Sequence, residues 1–321
     1  MSRPSSVPPP VTAVLDASSR WLPLSLARVE ELLRTQAGTH GETLGADAEA
    51  TLAAGGKRLR PLLVLLCAGA KAGEEAVRAA SAIELVHMAT LVHDDVLDAA
   101  PLRRGQPTVA ATSGRGRAVS VGDLLFSRAF ALLAEHRDRR AIALLAEASV
   151  ALAEGELAQR RDAYDAGISE ERYLDRCRLK TAKLFKCACL LGHDAEALGA
   201  FGAEIGLAFQ LLDDVLDVSG PPERTGKARG TDLLDGTVTL PLILARREDP
   251  SLAAAELHGL DASGAEALCD RIAATGVLEQ VRSRAFETVT TAKQRLASSP
   301  FDPEQRRLLD LVADGVVQRY S

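Results

Sequence analysis

Apolar residues recur at three- and four-residue intervals along most of this chain. Leu22, Leu26, Val29, Leu32 and Leu33 mark a first amphipathic helix. The same spacing, with Gly, Pro and Ser between segments, predicts helices over about 60–72, 74–99, 117–135, 138–162, 168–192, 194–218, 238–248, 262–274, 276–297 and 303–319. Two stretches break the pattern, 100–116 (AAPLRRGQPTVAATSGR) and 219–237 (SGPPERTGKARGTDLLDGT), and each follows a cluster of aspartates. Alanine and leucine are abundant while β-branched and aromatic residues are scattered, which favours helix over strand. The expected fold is all-α: one domain over residues 13–321, a bundle of roughly ten or more helices, after a flexible Pro-rich tail over residues 1–12.

Composition changes this picture only by exclusion. With 38 Lys and Arg against 44 Asp and Glu, the net charge is -6, so the chain lacks the basic excess that draws a protein to nucleic acid. Any anion site must be local. The five cysteines are odd in number and without paired CxxC spacing, which argues against a disulfide framework or a zinc site. The first residues, MSRPSSVPPPVTAV, carry prolines where a signal peptide needs an apolar run, and no apolar stretch is long enough for a span. A reduced, cytoplasmic setting is the expectation.

Two near copies, LVHDDVLD and QLLDDVLD, lie 119 residues apart. In the first, Asp94, Asp95 and Asp98 form a DDxxD near the end of the helix 74–99, and i, i+4 spacing sets Asp94 and Asp98 one turn apart on one face. Asp213, Asp214 and Asp217 repeat the arrangement. Carboxylates there repel one another, and the helix dipole disfavours each by about 0.3–1 kcal/mol. A cation must compensate. Hard oxygen ligands suit magnesium, which takes one or two carboxylates and completes its shell with water and phosphate, so two such clusters imply a phosphorylated ligand between them. Basic groups for such a ligand are Gly55-Gly56-Lys57-Arg58-Leu59-Arg60-Pro61, Arg103-Arg104-Gly105, Lys180-Thr181-Ala182-Lys183 and Gly226-Lys227, at helix ends or in the two long loops.

In order, GGKRLRP, ELVHMATLVHDDVLD, PLRRGQPT, GDLLFSRAF, KTAKLF, FQLLDDVLD and GKARGTDLLDGTVTLP resemble the all-trans polyprenyl diphosphate synthase family over about residues 50–245. The resemblance implies an isoprenoid-synthase bundle around a central cavity. It implies an enzyme that lengthens an allylic prenyl diphosphate with isopentenyl diphosphate. By the same resemblance Asp94 and Asp98, with Asp95 beside them, and Asp213, with Asp214 beside it, hold three magnesium ions on the allylic diphosphate. Arg103, Lys180, Thr181, Gln210 and Lys227 would contact that diphosphate, with Lys180 and Lys227 stabilising the leaving group. Lys57, Arg60, His87 and Arg104 would hold isopentenyl diphosphate. A homodimer, and peripheral membrane contact for product release, are likewise implied only by the resemblance.

One departure stands out. Where many relatives carry lysine in the segment after the second motif, this chain reads Gly236-Thr237-Val238-Thr239-Leu240-Pro241, a loss that either weakens allylic binding or is covered by Lys227 and Arg229. A terpene cyclase would not need GGKRLRP and His87, and a noncatalytic partner subunit would have degraded aspartate motifs. A ferritin-like di-metal bundle would need two Glu-x-x-His pairs, whereas Glu84 to His87 is the only match. Product length should be set below the first motif. There Ala89 and Thr90 are small where short-product relatives carry aromatic plugs, with Val86 and Ile83 further back, about 16 Å along the helix for the last. This predicts an open floor and products of at least four, and about six to nine, isoprene units. A geranylgeranyl or farnesyl diphosphate synthase is the alternative, with Phe126 or Phe130 as the plug.

Overall fold

The structure is a computed structural model that describes residues 9–18, 21–38, 41–70, 72–135, 139–220, 229–253 and 255–318. The apolar periodicity becomes α1 (Pro9–Ala17), α2 (Trp21–Gly38), α3 (Gly41–Ala53), α4 (Leu59–Ala68) and α5 (Glu74–Leu97). A two-residue hairpin, β1 (Leu102–Arg103) and β2 (Gln106–Pro107), leads into α6 (Val109–Ser113), α7 (Arg115–Ala134), α8 (Arg139–Arg161) and α9 (Glu170–Cys177). A π-helical turn at Arg178–Ala182 joins α9 to α10 (Lys183–Gly192), followed by α11 (Glu196–Ser219) and α12 (Thr231–Leu234). The chain closes with α13 (Leu240–Glu248), α14 (Pro250–Ala253), α15 (Ala262–Ala274), α16 (Val277–Ala297) and α17 (Pro303–Gln318). Among the described residues no helix is long and apolar enough to cross a membrane.

α5 is buried nearly all round, through Ala76, Val77, Ala80, Ile83, Leu85, Val86, Ala89 and Val92, and so has no amphipathic stripe. It is the central helix, packed chiefly on α7 and also on α2, α4 and α10. α11 packs on α10 and α16. Because α10 touches α4, α5, α8 and α11, it bridges the two helices that carry the aspartate motifs. Ser169 and Asp261 cap their helices by accepting from the N–H of Arg172 and Gly264.

Three departures from the predicted pattern have physical causes. The expected tail over residues 1–12 is helical from Pro9, because prolines in a first turn lose no hydrogen bond. Among its described side chains α3 buries only Gly45, Ala48 and Leu52, too thin a stripe to announce a helix. The predicted helix over 168–192 is interrupted by the π-turn, whose sequence is as helix-compatible as its flanks.

Candidate active site

The last turn of α5 presents the first aspartate motif, and three cations from other elements compensate it. Asp95 is buried and accepts from Arg103 Nε on β1 at 2.7 Å. Asp98 caps α5 and accepts from Arg160 Nη2, in the last turn of α8. Asp94 is half-buried; burial first, then the like charges of Glu156 and Asp98, push its carboxyl up to about 6 against the pull of Lys180 and Arg103. Lys180 pairs with Glu156 of α8. Burial works against its charge, but Asp94 and Glu156 outweigh it and raise the amine above the ordinary lysine value.

The π-turn sets Lys180 and Thr181, and two glycines admit it. A Cβ on Gly155 of α8 would stand 2.5 Å from Lys180 N, and one on Gly206 of α11 would stand 2.8 Å from Ala182 Cα. Only glycine lets both helices approach this backbone so closely.

From Thr181 a hydrogen-bond chain reaches the second motif. Thr181 Oγ1 donates to Gln210 Oε1 at 2.7 Å, Gln210 Nε2 donates to Asp214 Oδ1 at 2.7 Å, and Tyr173 Oη donates to Asp214 Oδ2. Both oxygens of Asp214 are thus engaged inside the protein. Burial, then Asp232 and Asp213, lift its carboxyl to about 8 although both hydrogen bonds oppose the shift. Asp213 is exposed, and Asp217 Oδ2 accepts from Asp232 N at 3.2 Å.

Thr237 is buried, its N–H bonded to the Asp232 carbonyl at 2.7 Å. Arg229, one of the two cations offered as cover for the missing lysine, has its Nε bonded to the Val218 carbonyl and its Nη2 to Asp270, both at 2.9 Å. Lys227 lies outside the described residues.

A basic cluster forms beside α5. Arg58, at φ 48°, ties the loop to α2 and α5 through Glu30 and through Glu84 Oε1 at 2.9 Å, which makes Glu84 an ion-pair partner and not half of a metal pair. Arg60 lies over the Phe185 ring at 4.6 Å, its Nε buried without a hydrogen bond, and burial lowers its guanidinium to about 10. The hairpin turn has positive φ at both Arg104 and Gly105, the geometry that matches strand twist. It brings Arg104 Nη1 to 3.1 Å from where a Cβ on Gly56 would lie. His87 faces this cluster: burial, then Arg60, Arg104, Arg103 and Arg58, hold its imidazole well below the usual value and neutral. Lys57 is on the same loop, half-buried. A cavity of about 470 Å³ opens here, lined by His87, Leu91, Asp95, Arg103 and Arg104.

Of the chain-length set, Ile83, Val86 and Ala89 have no accessible surface, so the open floor expected at Ala89 is absent there. Thr90 keeps accessible surface on the face that carries Asp94 and Asp98. Phe126 and Phe130 of α7 are partly buried with ring centroids 5.6 Å apart.

No three carboxylate, imidazole or thiol groups among the described residues converge as a protein-only metal cage would require. Asp94, Asp98 and Asp213 are instead carboxylates of the kind magnesium takes one or two at a time. Asp94, whose carboxyl burial chiefly lifts to about 6, and Asp98 one turn away offer hard oxygen donors on one helix face, so the donor set fits a divalent ion. Sequence motifs missed Glu156, Arg160 and Tyr173, which stand alone in helices whose periodicity explains them as ordinary members.

Residues 42–272 match the model of the polyprenyl synthetase family. The chain is 38% identical to a heptaprenyl diphosphate synthase component 2 from Geobacillus stearothermophilus, across 92% of this chain and 97% of that protein. It is 36% identical to an octaprenyl diphosphate synthase from Escherichia coli, across 83% and 86%. A crystal structure of a polyprenyl synthase from Caulobacter crescentus, complexed with calcium and isoprenyl diphosphate, superposes with a TM-score of 0.89 at 35% identity over 99% and 100% of the two chains. With the family model spanning most of its length and relatives this similar over nearly the whole fold, the chain belongs to the polyprenyl synthetase family and is a prenyl diphosphate synthase.

Proposed function

We propose that the protein condenses isopentenyl diphosphate with an allylic prenyl diphosphate, in a magnesium-dependent reaction, to give an all-trans polyprenyl diphosphate of about six to nine isoprene units. The observation that carries this reading is the junction at the end of α5. There carboxylates fit for metal, a half-buried protonated lysine and a separate basic cluster around a neutral histidine meet within one bundle. The heptaprenyl and octaprenyl names of the relatives support the length, as does Thr90 where a ring would block the path.

Asp94, Asp98 and Asp213 would hold the metal, which supplies positive charge to the departing diphosphate. Lys180 sits ready with its proton, and Thr181 and Gln210 orient one another at the same leaving group. Arg60, Arg104 and Lys57 bind the second diphosphate, and His87, neutral, offers a hydrogen bond without adding charge to an already cationic cluster. Holding both substrates turns carbon–carbon bond formation into a step within one complex. No nucleophilic side chain is needed. The assembly we infer is a homodimer; the relative designated a component 2 makes a second, different chain the alternative.

The test is to incubate the purified protein with magnesium, isopentenyl diphosphate and an allylic primer, then repeat in EDTA. Longer prenyl diphosphates that vanish in EDTA are the expected result. Conversion of the primer alone to a hydrocarbon would identify a cyclase instead.

A further inference from the structure

Asp98 ends α5, where the helix dipole and Asp94 both disfavour a carboxylate. The cation that answers it is Arg160, in the last turn of α8, where the dipole favours positive charge. Arg160 Nη2 donates to Asp98 Oδ1, and its Nε donates to Glu156 Oε1 at 3.2 Å. The other oxygen of Glu156 pairs with Lys180 Nζ. Charge therefore alternates along Asp98, Arg160, Glu156 and Lys180. Both ends of that chain are residues to which the proposed reaction gives other partners, metal for Asp98 and diphosphate for Lys180.

We propose that Arg160 is a latch on Asp98. Its guanidinium occupies the place of a divalent cation in the substrate-free protein, and metal binding at Asp98 is an exchange that expels it. The inference rests on the reading of Asp98 as a metal ligand. Arg160 and Asp98 keep side-chain exposures of 36% and 31%, so the pair is screened and weak enough for an ion of twice the charge to displace. The Arg160 stem is flexible, and its head can swing into solvent without a backbone change. Glu156 stays behind and keeps Lys180 in position. Arg160 is a positioning residue in this scheme: it holds the Asp98 carboxylate oriented until the metal arrives.

Manganese is a direct probe, because its free-ion spin resonance signal reports binding without turnover. In substrate-free protein, Arg160→Gln should bind Mn²⁺ about three- to fivefold more tightly than the wild type, the size of a partly exposed ion pair that no longer competes. Arg161→Gln removes the same charge from the next position, about 100° around the helix, and should leave the affinity within about twofold. In an Asp98→Asn background, Arg160→Gln should lose its effect. Unchanged or weaker Mn²⁺ binding in Arg160→Gln, or equal tightening by Arg161→Gln, would overturn the latch. Prenyl transfer by the same wild-type sample separates the two levels. Metal-dependent transfer together with unaltered Mn²⁺ binding in Arg160→Gln defeats the latch alone, whereas a wild type that neither binds Mn²⁺ nor transfers defeats the proposed function and the latch with it.

Discussion

Asp94 and Asp214 hold their protons longer in the folded chain, with values of about 6 and about 8 against an ordinary 3.8. Between those limits the folded state binds more protons than the unfolded one. The stability they contribute is therefore complete below about pH 4 and is lost as pH rises through about 6 for Asp94 and about 8 for Asp214. In EDTA the thermal midpoint of Asp94→Asn should fall less steeply than that of the wild type across this window, leaving the variant more stable at pH 8 by an amount on the order of 1 kcal/mol. Parallel curves would mean that Asp94 is ionised without penalty. Prenyl transfer by Asp94→Ala or Asp213→Ala should drop by at least about a hundredfold while the fold persists; near-normal turnover at saturating magnesium would remove them as metal ligands. These aspartates were legible because they stand in a repeated motif with a spacing that only a helix face explains. Arg160 and Glu156 were not. The sequence requires a cation at the end of α5, but its identity depends on α8 crossing there, 62 residues further on.

At the scale of elements, the π-turn at Arg178–Ala182 depends on what its neighbours lack. Gly155→Ala would drive a methyl group against the backbone of Lys180. The turn must move, with an expected stability loss of about 1–3 kcal/mol and a fall in kcat exceeding what the melting curve explains. Wild-type kcat in a folded Gly155→Ala protein would show that the turn does not position Lys180. Ala89 is sealed within the packing of α5, so Ala89→Phe should chiefly destabilise, by about 1–3 kcal/mol. Thr90→Phe, on the accessible face, should shorten the product distribution toward three or four units; an unaltered distribution from an active Thr90→Phe protein would place the growing chain elsewhere. Most long helices were readable from their apolar period. The π-turn was not, because a one-residue change in winding leaves no mark on composition.

In the whole molecule, α4, the hairpin and His87 gather one basic cluster, while the two aspartate motifs and the π-turn meet at another face, with α10 bridging the helices between them; the proposed function makes each a separate diphosphate site. The ordered motifs made both sites readable as sets, and the fold adds which members touch: Thr181 with Gln210, Arg103 with Asp95, Arg60 with Phe185. Arg60→Met keeps the apolar stem on Phe185 and deletes the charge, so it separates the two sites with least damage to packing. The decisive measurement is the pair of Michaelis constants of this variant. The constant for isopentenyl diphosphate should rise by about tenfold or more, as expected for a lost charge-assisted contact, and that for the allylic primer should stay within about twofold. An equal rise in both constants, or a rise for the primer alone, would contradict the division of the molecule into two diphosphate sites.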